Sequence, residues 1–445
     1  MNNPVIFQKL LTEQWLSTAQ ILSALSHLSH LIYLKNVTQP VIAFFASEYM
    51  LKQGDITENF QRISLHQYQK KSQSIHFNSF FKKNIQNHSS DFNGGLIGFV
   101  GYDHAAQQQV SIKQKNQPAL FLGIYRSYLK FTPQGWTFFS DEDEAESIFQ
   151  AIQQAIHNKK HSCFSLAQPC RARWNKNEYV TAFNKVQDYI KAGDCYQINL
   201  TQEFIANAHG SLLATAEEFW KLTNAPYSGY LKINDFELLS CSPELFINFE
   251  ANRKIVTRPI KGTMPRYADP ERDEQSKHKL MHSKKDQAEN VMIVDLLRND
   301  LSIYAETGSV KTPQLFEIES FNQVHHMVSE VTATLKQDIN PFDVLMSALP
   351  GGSITGAPKI RAMQIIDEIE GAPRGAYCGS MGYFNFDGTG CWNILIRSIQ
   401  KYHDEVSLWA GGGITIASDC DAEYQECFDK VSAMLDLLNT WQKES

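Results

Sequence analysis

The sequence predicts a largely antiparallel α+β fold, and two observations lead to that prediction. Strand-like runs follow one another closely between about residues 195 and 260, in the order CYQINLTQEF, YLKINDFELLSCS, ELFINF and KIVTRPI. Helix-like segments stand between groups of such runs instead of alternating with single strands, which is typical of antiparallel sheets. With 445 residues, 43% of them hydrophobic, the chain can bury a large core, which excludes disordered and fibrous classes.

Two regions of the chain differ in how clearly they can be interpreted. Residues 1–158 form an N-terminal region that mixes short helical stretches with β-like runs such as PVIAFFA and GGLIGFVGY. Residues 159–174 are basic and have no clear period, so we expect a connection there. Residues 175–435 form the second region, which carries most of the recognisable chemistry. Four helices are expected in this second region: 177–191, about 276–301, one between the strands that follow, and one from about Asp421.

Composition and charge exclude several classes of protein. The formal net charge is −7, so we expect neither nucleic acid nor an anionic membrane as a partner. The N-terminus has no basic segment followed by an apolar one, and apolar runs such as Val41–Ala46 are strand-sized. Neither a signal peptide nor a membrane span is therefore expected. The eight cysteines lack C-x-x-C spacing, which favours a cytoplasmic protein with free thiols.

The predicted C-terminal helix carries a pair of carboxylates and a lysine on one face. Glu423, Glu426 and Lys430 fall on this face, opposite an apolar stripe. The stripe consists of Tyr424, Phe428, Val431, Leu435 and Leu438. A solvated face with an ordinary ion pair between Glu426 and Lys430 is the alternative interpretation.

The predicted central helix carries a second pair of carboxylates. Asp286 and Glu289 are three residues apart within a segment, AENVMIVDLL, that is apolar on almost every side and is expected to be buried. Buried carboxylates need partners. Together the two pairs could supply oxygen ligands to Mg²⁺, with water and a substrate carboxylate completing the octahedron. The spacing is compatible with such a site but is not specific to it.

Two cationic side chains are further candidates for a functional site. Lys261 lies in TRPIKGTMPR near Arg258 and Arg266, and burial beside such cations would lower the pKa of its ammonium group and free a nucleophilic amine. An exposed turn lysine is the alternative. Arg397 follows the apolar run NILI, so we expect it on a strand, facing a buried carboxylate of the protein or of a ligand.

Two glycine-rich segments are candidate anion sites. GGSITGAPKIRA, which begins at Gly351, is not an ATP-type phosphate loop, because Ala357-Pro358 stands where Lys-Ser/Thr is required. The segment predicts a turn whose backbone amides lie at the N-terminus of a helix, with Pro358 in the first turn of that helix. Gly411–Gly413 follows the run VSLWA, and its N–H groups could approach a carboxylate, although a strand bend would favour the same glycines.

These motifs, in this order, resemble those of the chorismate-utilising enzymes. The resemblance covers residues 177–430 and rests on CSPELF, TRPIKGTMPR, ENVMIVDLLRNDL, PGGSITGAPKIRAMQIIDEIE, RGAYCGSMGYF, NILIRS, AGGGITIASD and EYQECFDK. The N-terminal region resembles, more weakly, that of the anthranilate and aminodeoxychorismate synthase branch, through FFAS and GGLIGFVGYD. The resemblance implies an α+β sandwich of two large, mostly antiparallel sheets with outer helices and a cleft for the site.

The resemblance also implies a reaction. The aminodeoxychorismate branch typically has P-I-K-G-T where anthranilate synthases have P-I-A-G-T, and Lys261 fits the former. The implied activity is amination of chorismate at C4 through a covalent intermediate on Lys261, with Glu244 of the S-P-E motif protonating the departing hydroxyl. Anthranilate formation and a non-catalytic aromatic-ligand-binding homologue are the alternatives. The ammonia would come from a glutaminase partner subunit or from solution.

The same resemblance assigns roles to further residues. Glu289 and Glu426 would be direct Mg²⁺ ligands, with Asp286 and Glu423 holding metal-bound water. The substrate-binding residues would be Tyr377, Arg397, Gly411, Gly413, Lys430, Thr355 and His326. A tryptophan pocket present in some relatives would map to Ser47, Pro226, Tyr227 and Ser228, in a chain that has Asn59 where an arginine is common.

Overall fold

The computed structural model describes residues 6–35, 39–73, 81, 91–158, 162–320 and 324–442, and their strands form two large sheets. Strands are numbered in chain order. The first sheet contains β1 Phe7–Leu10, β2 Ile32–Leu34, β3 Val41–Ala43, β9 Ser127–Thr132, β10 Gly135–Ser140, β11 Phe164–Leu166, β12 Arg171–Ala172, β13 Gln197–Gly210, β14 Tyr227–Ile233, β15 Phe236–Ser242, β21 Gly356–Ala357, β24 Ser398–Tyr402 and β25 Glu405–Thr415. The second contains β4 Glu48–Gln53, β5 Ile56–Ser64, β6 Gln67–Lys71, β7 Gly95–Val100, β8 Pro118–Tyr125, β16 Leu245–Phe249, β17 Lys254–Thr257, β18 Ile260–Pro265, β19 Lys311–Ser320, β20 Val324–Thr334, β22 Ser380–Asn385 and β23 Gly390–Asn393.

The helices of the described chain are spread along its whole length. They are α1 Thr18–Leu25, α2 Tyr102–Gln107, α3 Ala145–His157, α4 Lys176–Ala192, α5 Ala216–Thr223, α6 Pro270–Met281, α7 Lys284–Ser302, α8 Pro341–Ala348, α9 Lys359–Glu370, α10 Cys420–Asp429 and α11 Ser432–Asn439. No helix among the described residues is long and apolar enough to cross a membrane.

The two sheets pack face to face, with helices on their outer sides. Leu231 and Leu238 of the first sheet belong to the same buried cluster as Phe99 and Phe121 of the second. Helices α1, α3, α5 and α11 cover the outer face of the first sheet, and α7 and α8 pack on the second. The strand ladders are antiparallel, as between β13 and β25 or β7 and β22. The predicted mostly antiparallel α+β sandwich with outer helices is therefore confirmed.

Strands of the N-terminal region complete both sheets. In the first sheet β2 pairs with β14, and in the second β7 pairs with β22. The boundary predicted near residues 159–174 therefore does not separate the sheets, and residues 159–161 lie outside the described chain.

The predicted helices are present, but two of them are interrupted. Helix α4 begins with a capping box between Asn175 and Glu178 and ends at Gly193, whose φ is 83°, close to the predicted 177–191. The long helix expected over 276–301 is wrong, because the side chain of Ser283 caps a new helix, α7, after α6 has ended. Helix α7 also has an exposed side, where Val291 keeps 41% of its surface, so it is not buried all round.

The C-terminal helix is likewise divided, into α10 and α11, on either side of Lys430 and Val431. The predicted apolar stripe is confirmed as a packing surface, since Val431, Leu435 and Leu438 are buried in one cluster with strands of the first sheet. The break places Lys430 at the end of α10, where its side chain can turn toward β25.

Candidate active site

Lys261 lies on a β-bulge at the edge of the second sheet. Ile260 of β18 pairs with Val328 and Thr263 pairs with His326, so Lys261 and Gly262 together face a single residue of β20. Gly262 has a φ of +87°, and a β-carbon there would lie 2.9 Å from the carboxyl carbon of Asp286. Only glycine fits this bulge, which redirects the neighbouring side chain and brings β18 close to α7.

The surroundings of Lys261 combine burial with two carboxylates. Its Nζ donates to the carbonyl of Ser353, 3.1 Å away. Burial lowers the pKa of the ammonium group, and the charges of Glu289 and Glu244 oppose this lowering. The exposed turn lysine is therefore not what the structure shows.

The neighbouring arginines do not act on Lys261 as the sequence suggested. Arg258 forms ion pairs with Glu319 and Glu330 instead. Arg266 binds Asp273 at 3.0 Å. The cation that lowers the pKa of Lys261 is Lys430, which is remote in sequence and comes from the end of α10.

Glu244 is a buried carboxyl group next to Lys261. It precedes β16, with its N–H donating to Ser242 Oγ at 3.3 Å and its carbonyl accepting from Ile394 N at 3.1 Å. Its exposed fraction is 6%. Burial raises the pKa of Glu244 to about 7, although Lys261 and the N–H of Ile260 lower it. A carboxyl group with this pKa can donate a proton near neutral pH.

Glu289 presents a carboxylate oxygen that has no partner. Its Oε1 is buried and accepts no hydrogen bond from any described residue. Burial raises the pKa of Glu289, while Lys261 and Lys285 lower it and the nearby charge of Asp286 raises it further. An orphaned, buried oxygen with acidic neighbours is a natural ligand position for a hard cation.

The second acidic pair, Glu423 and Glu426, lies on α10 and packs against Gly412 of β25. A β-carbon on Gly412 would lie 3.1 Å from Glu423 Oε2 and 3.2 Å from Glu426 Oε1, so glycine leaves room for both carboxylates. Burial raises the pKa of Glu426, but Lys430, 2.6 Å away, outweighs it and holds that pKa below its usual value. Among the described residues, no three His, Cys, Asp or Glu side chains converge closely enough to hold a metal by themselves.

Lys285 is a site residue that the sequence interpretation missed. Its Nζ lies 3.3 Å from Glu423 Oε1, and the charges of Glu289 and Glu426 also act on it. It precedes Glu289 by four residues on α7, so helical periodicity could have placed it on the same face. The pair with Glu423 shows that α7 and α10 face each other across the acidic cluster.

The two glycine-rich segments have more regular structures than expected. Gly411–Gly413 is part of strand β25 and not a bend after it, with Gly411 paired to Thr201 of β13. Pro358 precedes α9 as its N-cap and is not in its first turn. Thr355 is fully buried, its hydroxyl donates to Gly351 O at 2.9 Å, and its carbonyl accepts from Asn199 N.

Three further predicted substrate-binding residues have defined contacts in the structure. Lys430 Nζ donates to Gly411 O at 2.8 Å. Tyr377 is buried and its ring stacks on Trp409, with centroids 5.9 Å apart. His326 Nδ1 lies 2.8 Å from Thr263 Oγ1, and burial lowers its pKa to about 4, so the ring is neutral. A neutral imidazole and a phenol suit a ring-shaped ligand, while Lys430 supplies a positive charge.

Arg397 differs from the prediction in its backbone. It lies in a bend before β24, with φ 49°, and not on a strand. Burial lowers the pKa of its guanidinium group, and the charge of Glu244 raises it. No described residue forms an ion pair or hydrogen bond with the guanidinium group, which leaves it available for an anionic ligand.

A buried ion pair between Arg374 and Glu370 lies next to this group of residues. Arg374 binds Glu370 through two hydrogen bonds of 2.7 and 2.9 Å, and it also donates to Ile354 O and Asn199 O. Its guanidinium carbon lies 5.8 Å from the centroid of the Tyr377 ring. Both charged side chains are 1% exposed. The pair thus ties the glycine-rich turn, β13 and Tyr377 together.

We expect Arg374→Met to lower the free energy of unfolding by about 3–5 kcal/mol, because it leaves the Glu370 carboxylate buried without its partner. Arg298→Met is the matched control, since Arg298 forms an exposed pair with Asp295 and should cost less than about 1 kcal/mol. Urea denaturation of both variants measures the difference. Equal losses would show that the Arg374–Glu370 pair does not stabilise this part of the fold.

The two serines predicted for a tryptophan pocket donate their hydroxyl groups to nearby backbone carbonyls. Ser47 Oγ donates to Ile124 O at 3.1 Å and Ser228 Oγ to Ala225 O at 3.0 Å. Tyr227 and Pro226 are half-buried at the start of β14. The arginine near Ser47 is Arg62, which donates to Phe45 O and pairs with Glu142.

The sequence and fold match a known family over most of the chain. The family model described as chorismate binding enzyme covers residues 35–436. The chain belongs to the chorismate-binding enzymes. The resemblance drawn from the motifs is therefore confirmed. Within this family, the anthranilate synthase component I of Streptococcus pneumoniae TIGR4 has a similar structure, with a TM-score of 0.75 and 25% identity over 89% of this chain and 92% of that one.

Curated members of the chorismate-binding family include two that are similar over most of their length. Aminodeoxychorismate synthase component 1 of Klebsiella aerogenes is 42% identical over 78% of this chain and 78% of its own. The corresponding protein of Escherichia coli K12 is 40% identical with the same coverage. Anthranilate synthase component 1 of Bacillus subtilis 168 is 40% identical over 59% of this chain and 51% of its own.

Proposed function

We propose that this chain is the chorismate-aminating component of aminodeoxychorismate synthase, which makes 4-amino-4-deoxychorismate for p-aminobenzoate and folate synthesis. The observation that carries the proposal is the position of Lys261, on a glycine-dependent bulge beside the buried Glu244. The similarity to aminodeoxychorismate synthases over 78% of the chain supports it. The anthranilate synthase relative matches a smaller part of the chain.

The reaction has two displacement steps in this proposal. The neutral amine of Lys261 attacks C2 of chorismate, both ring double bonds shift, and the C4–O bond breaks. Glu244 gives its proton to the departing hydroxyl, which leaves as water. Ammonia then forms a bond to C4, both double bonds shift back, and Lys261 is released from C2. Chorismate and ammonia thus become 4-amino-4-deoxychorismate and water.

Other residues would hold the dianionic substrate during these steps. Arg397 and Lys430 supply positive charge, and the backbone N–H groups near Gly411 and Gly413 supply hydrogen-bond donors for a carboxylate. Tyr377, Thr355 and His326 would contact the substrate from the side of the second sheet and the glycine-rich turn. Fixed donors of this kind stabilise charge without reorganisation during the reaction.

A Mg²⁺ ion fits the acidic residues of α7 and α10. Glu289, with its orphaned Oε1, and Glu426 would be direct ligands, and Asp286 and Glu423 would hold bound water. When bound, Mg²⁺ would neutralise and orient the ring carboxylate. Two protein ligands with water are typical of Mg²⁺, which dehydrates reluctantly.

We expect Glu289→Gln to abolish Mg²⁺-dependent turnover. It should also weaken Mg²⁺ binding more than Glu423→Gln does. For Glu423, which would hold a metal-bound water, a loss of Mg²⁺ affinity of about 10–100-fold is typical. Calorimetric titration with Mg²⁺ gives the affinities directly. Asp295→Asn is the control, because Asp295 lies on the exposed side of the same helix. Full Mg²⁺ dependence in Glu289→Gln would remove this residue from the ligand set.

The proposal includes a glutaminase partner, aminodeoxychorismate synthase component II, as the source of ammonia, and a cytoplasmic location. Support comes from the names of the relatives, which are first components. The partner is not needed for chemistry, because free ammonia is the nucleophile of the second step. Turnover with ammonium salts should therefore proceed without it.

Product analysis tests the proposed function. The purified chain is incubated with chorismate, Mg²⁺ and ammonium chloride, and the products are separated and identified by mass. We expect 4-amino-4-deoxychorismate with the pyruvyl group retained. Anthranilate with released pyruvate would identify the rival activity, and binding of chorismate without any product would favour a non-catalytic homologue.

A further inference from the structure

Gln197, at the start of β13, has a side-chain amide that no part of the fold explains. The residue is fully buried, and neither its Oε1 nor its Nε2 has a hydrogen-bond partner among the described residues. Most buried side-chain polar atoms in proteins are hydrogen-bonded, because an unsatisfied one destabilises the fold.

The position of this amide connects it to the proposed substrate site. Asn199 pairs with Gly413 and Thr201 with Gly411, so alternation places Gln197 on the same face of the sheet as both glycines. Trp409 of β25 shares that face and stacks on Tyr377. Gln197 therefore shares a face with both glycines and with this buried ring pair, whereas Gly412 and the carboxylates of α10 lie on the opposite face.

The side-chain amide of Gln197 also packs directly against Gly413. A β-carbon on Gly413 would lie 2.3 Å from Gln197 Nε2, so the amide covers the α-carbon of Gly413 directly. On its other side, Gln197 pairs with Ala357, two residues after Thr355 in the glycine-rich turn. The unpartnered amide thus lies between two segments that are proposed to hold the substrate.

We infer that Gln197 is a further substrate-binding residue, whose side-chain N–H donates to the chorismate carboxylate held at the backbone of Gly411 and Gly413. The inference rests on the proposed function for the identity of the ligand. A neutral amide suits this place because the carboxylate already has Arg397 and Lys430 as cations. In the complex, the N–H group of Gln197 gains the hydrogen bond that it lacks in the free protein.

Gln202 provides a matched control. It lies on the same strand, is fully buried, and has the same two unpartnered amide atoms. Gln202 is five positions after Gln197, and the register of β13 is regular. Its side chain therefore points to the opposite face of the sheet. The two glutamines differ in whether they share the face of Gly411 and Gly413, and not in burial or hydrogen bonding.

The test compares Gln197→Leu and Gln202→Leu in the full chain, each combined with Lys261→Ala so that chorismate binds without forming a covalent adduct, using chorismate with Mg²⁺ and no ammonium. We expect both variants to keep or raise the melting temperature, since each removes an unsatisfied amide. Chorismate affinity, measured by calorimetry, should fall about 10-fold or more in Gln197→Leu and stay within about twofold in Gln202→Leu. Gln197→Met, with an unbranched side chain, repeats the measurement should the leucine variant not fold.

Gln197→Glu sharpens the test, because a carboxylate there repels the ligand and should weaken binding further than Gln197→Leu. Unchanged chorismate affinity in Gln197→Leu, or an equal loss in Gln202→Leu, would overturn the inference while the proposed function stands. Failure of the unmodified chain and of Gln202→Leu to bind chorismate would overturn both.

Discussion

Lys261→Ala is expected to reduce ammonia-dependent amination of chorismate by on the order of 10³-fold or more, because no other described amine occupies the bulge. Lys430 and Lys285 remain nearby, but they are bound to Gly411 O and Glu423. Initial rates follow from chromatographic quantification of 4-amino-4-deoxychorismate. Chorismate binding should be retained, since the carboxylate-binding residues are unchanged.

The covalent role of Lys261 has a second measurable signature. Incubation of the chain with chorismate and Mg²⁺ but no ammonium should produce an adduct, visible in the intact mass and localised by peptide mapping. Lys254→Ala is the control, because Lys254 is an exposed lysine on the neighbouring strand β17 and pairs with Glu250. Unchanged turnover in Lys261→Ala would refute the covalent mechanism even if the same product were made.

The fold could be predicted from the sequence because its signals are local. Strand runs such as YLKINDFELLSCS alternate and turn within a few residues, and the structure has them as the hairpin of β14 and β15. The interruption at Ser283 was missed, because a serine within an amphipathic pattern is compatible with both a continuous helix and a new N-cap. Neither which strands are neighbours nor the sharing of both sheets between the two regions could be read from local periodicity.

Residue type and spacing were enough to select candidate site residues, as for Asp286 and Glu289 or for the lysine of TRPIKGT, and their roles stay predictions. The site was not predictable where the partner comes from elsewhere in the chain. Arg258 and Arg266 are next to Lys261 in sequence, yet the nearby cation is Lys430. The orphaned Oε1 of Glu289 depends on three-dimensional packing, which no single segment encodes.

Glu244→Gln should lower the rate of amination by about 10²–10⁴-fold, the usual contribution of a positioned proton donor. Glutamine keeps the size and the hydrogen-bonding capacity of the side chain but cannot protonate the leaving hydroxyl. Glu250→Gln is the control, because Glu250 is partly exposed and pairs with Lys254. Chorismate affinity should be largely unaffected. A rate for Glu244→Gln equal to that of the unmodified chain would exclude this residue as the acid.

The pH profile gives the more specific test, because Lys261 and Glu244 must share one proton in the reactive state. Below the pKa of Glu244, about 7, both groups are protonated and the amine cannot attack. Above the lowered pKa of Lys261 neither holds a proton, and the hydroxyl has no donor. Activity of the unmodified chain should therefore rise through pH 7 and fall again at alkaline pH. In Glu244→Gln only the amine titrates, so the residual rate should keep rising with pH and the alkaline decline should disappear. A bell-shaped profile that survives this substitution would assign the proton donor to another group.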